Sequence, residues 1–304
     1  MSLRINTNVA ALNAYNNLST NQGKLEDAFG QLSSGLRINK AADDAAGLSI
    51  SQGLTSQING LTQAVSNAQD ATNVAQIADG ALGTDQDILQ RMRTLVVQAA
   101  NSGTQDTNSL SAIQAELSSL SSQLDTVSTT TKFGNKALLD SSYSGVFQVG
   151  ANGGETITLA LNTGGTTTTT GFSAGDLGVA SNTSSFTSST TSGTRSTSTV
   201  ATAQVDVTAA GFNSTTTLTA IDNAIKKVST ARSGIGAVQN QLGYTVTNLN
   251  TAITNVTASR SNLTDADLAT QVTKMTQQQI LTSAATSVLA QANSAPQAIL
   301  KLLQ

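Results

Sequence analysis

Both ends of this 304-residue chain carry long apolar ladders at helical spacing, and its middle does not. In the C-terminal part, Ile221, Ile225, Val228, Arg232, Ile235, Gln239, Leu242, Val246, Leu249, Ile253, Val256, Arg260 and Leu263 alternate steps of four and three without a slip. That rhythm is a coiled-coil seam and implies a left-handed supercoil. At roughly 1.5 Å per residue it runs for about 65 Å, which suits an extended rod better than a small globule. A second ladder follows at Leu281, Ala285, Val288, Ala292, Ala295, Ile299 and Leu302, and its alanines leave room for close backbone approach.

The N-terminal half offers matching material. Leu18, Leu25, Phe29, Leu32 and Leu36 form a short stripe; Ile50, Leu54, Ile58, Leu61, Val65, Ala68, Thr72 and Ala75 form a longer one. A further helix is predicted from about Asp85 through Ala100, with Ile88, Leu89, Met92, Leu95 and Val96 on its apolar side. After turn residues at Asn101 to Asn108, Leu110, Ile113, Leu117, Leu120, Leu124 and Val127 continue the pattern. The expected fold is mainly α: an elongated antiparallel helical bundle or coiled coil built from both chain ends.

Proline occurs once, at Pro296, so no pyrrolidine ring interrupts a helix before the last turns of the chain. A formal charge of -3, with no clustered Lys or Arg, argues against nucleic-acid binding. No run of eighteen apolar residues is present, so no membrane span is expected, and MSLRINTNVAALNAYNN lacks the apolar core of a secretory signal. The chain has no cysteine and no histidine, which removes disulfides, thiolate nucleophiles, the commonest general base and the usual zinc ligands. Asp43, Asp44, Asp265 and Asp267 sit among small or polar residues, where helix capping or a solvated face is the expected role. Nothing assembles an acid, a base and a pocket, so the chain is read as no enzyme, with no cofactor and no metal.

Between roughly Lys132 and Val207 the period shortens. Val146 to Val149, Thr156 to Leu161 and Thr199 to Val207 alternate as strands do and are punctuated by glycines, predicting β-hairpins. From Ser181 to Ser198 the chain is nearly pure Ser and Thr with little to bury, and is expected to face solvent. Triplets resembling glycosylation sequons at Asn182 and Asn213 receive no role, because such matches arise readily in this composition.

Three segments carry a family resemblance: INTNVAALNAYNNL (Ile5 to Leu18), LSSGLRINKAADDAAGLSIS (Leu32 to Ser51) and SVLAQANSAPQAILKLL (Ser287 to Leu303). QRMRTLVVQAANS, IQAEL, FQVGANGGETI and TDADLATQV extend it inward. Together they resemble bacterial flagellin over residues 1 to about 160 and about 218 to 304. The resemblance implies a subunit exported unfolded that self-assembles into the extracellular helical filament used for swimming. It further implies a filament-core segment at residues 1–42 and 265–304, a helical rod with β-hairpins at 43–180 and 218–264, and a variable surface-exposed insertion at 181–217. The absence of histidine excludes the metalloprotease insertion found in some relatives.

Partners follow from the same resemblance: further copies of the chain, an export chaperone and export apparatus, hook-filament junction and filament cap proteins, and a host Toll-like receptor. Self-assembly is placed on Leu3, Ile5, Val9, Leu12, Leu18, Val288, Leu289, Ile299 and Leu302. Chaperone binding is placed on Ile280, Leu281, Val288, Leu289, Ile299, Leu300 and Leu303. The receptor patch carries over to Gln90, Arg91, Leu95, Gln98 and Glu116, with the uncharged Thr94 departing from the residue often found there. Asn6, Asn8, Asn13, Asn16, Asn17 and Asn21 are poor helix formers, so the N-terminal end is expected to order only on assembly. Two rivals stand beside this reading: a hook-associated junction protein, and a chemoreceptor-like signalling coiled coil, against which the glycine-bounded Phe147 to Ile157 run argues.

Overall fold

The computed structural model describes residues 8–101, 103–140, 143–161, 171–180, 205–208 and 212–302, with side chains as far as residue 294 in the last helix. The Ser181 to Ser198 tract, the Thr199 to Gln204 part of the third expected strand and Asn182 lie outside the described residues. Five long helices dominate: α1 (Val9–Ser34), α2 (Ala45–Ala99), α3 (Thr107–Thr130), α5 (Ser214–Thr264) and α6 (Leu268–Leu302). Between α3 and α5 come β1 (Lys132–Phe133), β2 (Lys136–Ala137), β3 (Ser144–Gln148), β4 (Thr156–Ala160) and the single-turn helix α4 (Ala174–Leu177). The mainly α fold with two small antiparallel hairpins, β1 with β2 and β3 with β4, agrees with the sequence reading.

Each long helix starts at an Asn or Asp whose side chain takes up an otherwise orphaned backbone N–H. Asn8 accepts from Ala11, Asp44 from Gly47, Asp106 from Ser109, Asn213 from Thr215 and Asp267 from Ala269. The Ser109 N–H holds the Asp106 carboxyl below its ordinary pKa, and the Thr270 hydroxyl together with the Ala269 N–H does the same for Asp267. The acids singled out beside small residues thus include two caps, Asp44 and Asp267. Asp43 accepts from the N–H groups of Asn39 and Lys40 in the loop before α2. Gly35 ends α1 with φ of 69°, a conformation that favours glycine.

Contacts divide the chain into two units, residues 60–251 and residues 1–59 with 252–304. The 60–251 unit holds both apolar core clusters. Along α2 a buried seam runs through Leu61, Ala64, Ala68, Ala71, Ala75, Ala78, Leu82, Asp85, Leu89, Met92, Val96 and Ala99 in unbroken steps of three and four, with Val74, Ile88 and Leu95 buried beside it. The expectation of a separate helix from Asp85 is therefore corrected: one helix of 55 residues runs through the region. Five seam alanines from Ala64 to Ala78, and a carboxylate one rung after Leu82, hide the apolar rhythm in sequence, although the heptad itself never slips. On α5 every position of the long ladder is buried or half-buried. Arg232, the charged rung, donates to Asp79 and Gln86 of α2.

The hairpins confirm two of three expected strands. β4 alternates buried Ile157 and Leu159 with exposed threonines, as a half-buried strand should. The third, as far as it is described, is not a strand: Val205 and Val207 are buried, but the side-chain amide of Gln114 on α3 donates to the Val205 carbonyl and accepts from the Val207 N–H. A glutamine thus takes the place of a ladder partner, and the end of the expected exposed insertion is anchored in the core.

Candidate functional site

Among the described residues, the unit formed by 1–59 and 252–304 contributes to neither apolar core cluster, and its buried apolar side chains are those of Ala14, Ala28 and Ile38. In it α1 and α6 pair antiparallel. Asn8 lies against Ala292 and Gln31 against Gln271. The inward face of α1 is Ala11, Ala14, Leu18, Asn21, Leu25 and Ala28; that of α6 is Gln271, Met275, Gln278, Thr282, Ala285, Leu289 and Ala292. Both repeat in steps of three and four. The side-chain carbonyl oxygens of Gln271 and Gln278 are buried there with no hydrogen-bond partner, a cost to the pair rather than a gain.

Most of the large apolar side chains point the other way. Of the fifteen exposed large hydrophobics among the described residues, ten belong to this unit, including Val9, Leu12, Tyr15, Phe29, Leu268, Val272, Ile280, Leu281 and Val288. Val9 and Leu12 are each 56% exposed, Val288 58% and Ile280 63%. The C-terminal ladder read from sequence is accordingly split: Ala285 and Ala292 turn inward while Leu281 and Val288 turn outward. Small residues on the inward faces, Ala11, Ala14 and Ala28 on α1 and Ala285 and Ala292 on α6, leave room for the backbones to approach, and most of the bulkier residues lie on the outer surface.

The expected assembly residues therefore fall into three groups. Val9, Leu12 and Val288 are exposed; Leu18 and Leu289 sit half-buried on the seam between α1 and α6. Leu3 and Ile5 lie outside the described residues, and so do the side chains of Ile299 and Leu302, whose backbones close α6. Of the expected chaperone anchors, Ile280, Leu281 and Val288 are exposed, Leu289 is on the seam, the side chain of Leu300 is outside the described part and Leu303 is outside it altogether.

One contact that sequence reasoning missed joins the two ends. Pro296 has no N–H, so it cannot donate to the Ala292 carbonyl one turn earlier, as the helical ladder requires. The Asn8 side-chain amide donates to that carbonyl at 2.7 Å while its oxygen caps α1. The signal was the pairing of a lone mid-helix proline with an asparagine at the opposite end of the chain. Below this pair, the segments flanking α1 and α6 are tied by a bridge between Leu36 and Asp265, with Arg37 N–H to the Thr264 carbonyl at 2.7 Å and Ala266 N–H to the Gly35 carbonyl at 2.9 Å. At Gly47 an added Cβ would lie 2.5 Å from an Asp44 carboxylate oxygen and 2.7 Å from the Ile38 side chain, so a substitution there would have to shift these side chains.

The expected receptor patch lies in the other unit. Gln90, Arg91 and Gln98 are exposed on one face of α2, and Arg91 forms an ion pair with Glu116 of α3 at 2.6 Å. Leu95 departs from the expectation of a surface contact: it is 2% exposed, because it continues the core-facing side of α2 with Met92 and Val96. The exposed apolar residue on that turn is Val97. Among the described residues no group of acids could hold a metal ion, and no helix is long and apolar enough to cross a membrane.

Residues 5–144 match the bacterial flagellin N-terminal helical region and residues 218–303 the bacterial flagellin C-terminal helical region. Flagellin of Bacillus subtilis (strain 168) is 40% identical over 314 residues, spanning 99% of this chain and 100% of that one. The chain belongs to the bacterial flagellin family. Flagellin of Halalkalibacterium halodurans is 38% identical over 99% of both chains. That of Clostridium tyrobutyricum is 50% identical over 142 residues, which is 47% of this chain and 37% of the longer relative. A crystal structure of Bacillus cereus flagellin aligns with a TM-score of 0.44 at 24% identity, over 60% of this chain and 88% of that one. As a flagellin the chain is a structural subunit of the extracellular flagellar filament and not an enzyme. The two matched regions fall on the two chain ends and their ladders.

Proposed function

We propose that this flagellin is exported unfolded and polymerises into the helical filament through the outer faces of α1 and α6. The observation that carries the reading is the packing of the terminal unit: a seam mostly of alanines and polar residues, with Leu18, Leu25, Met275 and Leu289 as its half-buried large apolar members, and ten large apolar side chains left exposed among the described residues. Covering the exposed half of each such side chain contributes on the order of 1 kcal/mol before ordering entropy is subtracted. A contact repeated head to tail that does not close generates a fibre rather than a ring. Residues 1–42 with 265–304 then form the filament core, 43–180 with 218–264 the outer helical rod, and 181–217 an insertion whose last part is anchored through Val205 and Val207.

A seam with two unpaired buried amide oxygens and few large apolar contacts stabilises α1 and α6 weakly in a lone subunit. Amide exchange is expected to show residues 8–34 and 268–302 exchanging rapidly in monomer at low salt and protected in salt-grown filaments. Equal protection in both states would contradict coupling of order to assembly.

The same exposed apolar face suits a chaperone before export, with Ile280, Leu281 and Val288 as anchors of an amphipathic helix laid in a groove. Filament ends would meet junction and cap proteins through these surfaces. Toll-like receptor recognition is placed on Gln90, Arg91, Gln98 and Glu116, with Leu95 supporting the patch from beneath. Because the Arg91–Glu116 pair is solvent-exposed, it contributes at most about 1 kcal/mol to the fold. Arg91→Ala is therefore expected to leave the melting temperature nearly unchanged and to weaken receptor activation severalfold in a reporter-cell dose response. An unshifted dose response would remove the patch from this reading.

A further inference from the structure

Asp85 occupies a core position of the α2 heptad, one carboxylate among eleven apolar rungs from Leu61 to Ala99. It is 0% exposed, and neither carboxylate oxygen has a hydrogen-bond partner. The ion pairs that fix the helix register, Arg91 with Glu116 on α3 and Arg93 with Asp222 and Asp79 with Arg232 on α5, place Ser121 and Leu124 of α3 and Val228 of α5 at its level. These three are themselves buried.

The charged groups on the packed helices are otherwise engaged. On α2 and α5, Asp79 holds Arg232 and Arg93 holds Asp222; Lys227 donates to the Asp176 carbonyl, while Asp87 and Lys226 are exposed. On α3, Glu116 holds Arg91 and Asp125 accepts the Ala174 N–H. Among the described residues neither Asp85 carboxylate oxygen has a hydrogen-bond partner, charged or neutral. An ionised carboxylate in such a place has lost its hydration without compensation, whereas the neutral acid needs a partner for one O–H alone.

We propose that Asp85 makes folding of the 60–251 unit a proton-coupled step: the carboxyl is protonated in the folded core, and its ionisation weakens the seam between α2, α3 and α5. Burial alone pushes the group up from an ordinary 3.8 to about 7. The folded state then holds one more proton than the unfolded state between those values, so stability falls as pH rises through that window and levels off above it. The proposal concerns the fold of one subunit and does not depend on filament assembly.

The test compares the full-length monomer with Asp85→Asn, a neutral side chain of the same shape, in guanidinium unfolding at low salt from pH 4 to pH 8. Unfolding constants that coincide near pH 4 and then diverge by about tenfold per pH unit, Asp85→Asn being the more stable, are expected until the divergence levels off near pH 7. Curves parallel across the whole range would overturn the proposal. If Asp85→Asn does not fold, Asp85→Leu takes its place. Carboxyl carbon NMR of the unaltered chain decides independently: one Asp resonance titrating near pH 7 supports the assignment, and all Asp resonances titrating at ordinary values refutes it.

Discussion

Deleting residues 265–304 is expected to abolish filament growth completely when salt is added to the purified protein, while the intact chain gives long uniform filaments in electron micrographs. The deletion removes α6, and with it the partner of the α1 seam and five of the exposed large apolar residues, Leu268, Val272, Ile280, Leu281 and Val288. It also removes the Ala292 carbonyl that Asn8 engages. It leaves the 60–251 unit and its core clusters entire, so the helical circular-dichroism transition of that unit should persist. Binding to the export chaperone should disappear in the same protein, since its expected anchors lie within the deleted segment. Normal filaments from the shortened chain would refute the assignment of assembly to the paired ends, and short caps from both proteins would favour the junction-protein alternative.

Phe172→Ala is expected to destabilise the 60–251 unit by about 3–5 kcal/mol. Phe172 is the largest fully buried side chain of the core cluster, and its N–H donates to the Leu139 carbonyl at 3.0 Å. Truncation removes the ring from a place already closed by helices and hairpins, so the cavity cannot collapse fully. For a unit of this size the melting temperature should fall by about 10 °C. Val146→Ala, at a residue 63% exposed on β3, serves as the comparison and should move stability by less than about 0.5 kcal/mol. If both substitutions had the same small effect, the placement of Phe172 in the core would be wrong.

The long ladder from Ile221 to Leu263 could be read directly, because large aliphatic residues mark nearly every turn and the structure buries or half-buries every rung. The α2 seam was legible only in pieces. Its middle is alanine, whose small side chain marks a face weakly, and Asp85 then appears as a helix beginning when it is in fact a core position. The strands β3 and β4 were visible from alternation, but Val205 to Val207 alternates in the same way and pairs with a glutamine side chain instead. Nothing local distinguishes the two cases, since the choice depends on which acceptor and donor the fold brings alongside.

At the terminal unit the difference matters for function. Sequence by itself determined that both ends carry helical ladders rich enough in apolar residues to need partners, while the caps at Asn8 and Asp267 are seen in the structure. It also determined the family and, through the missing cysteine and histidine, the kinds of chemistry the chain lacks. Only tertiary structure decided which face of each helix is spent within the chain. Periodicity gives the angle between residues around one helix but not the distance to the next. The small inward residues Ala11, Ala14 and Ala28 of α1 and Ala285 and Ala292 of α6 occupy the shared seam, and Val9, Leu12, Ile280 and Val288 face outward. In the 60–251 unit, packing of α2 in the core likewise placed Leu95 inward, away from the surface patch it was expected to join, and left Asp85 buried with no hydrogen-bond partner.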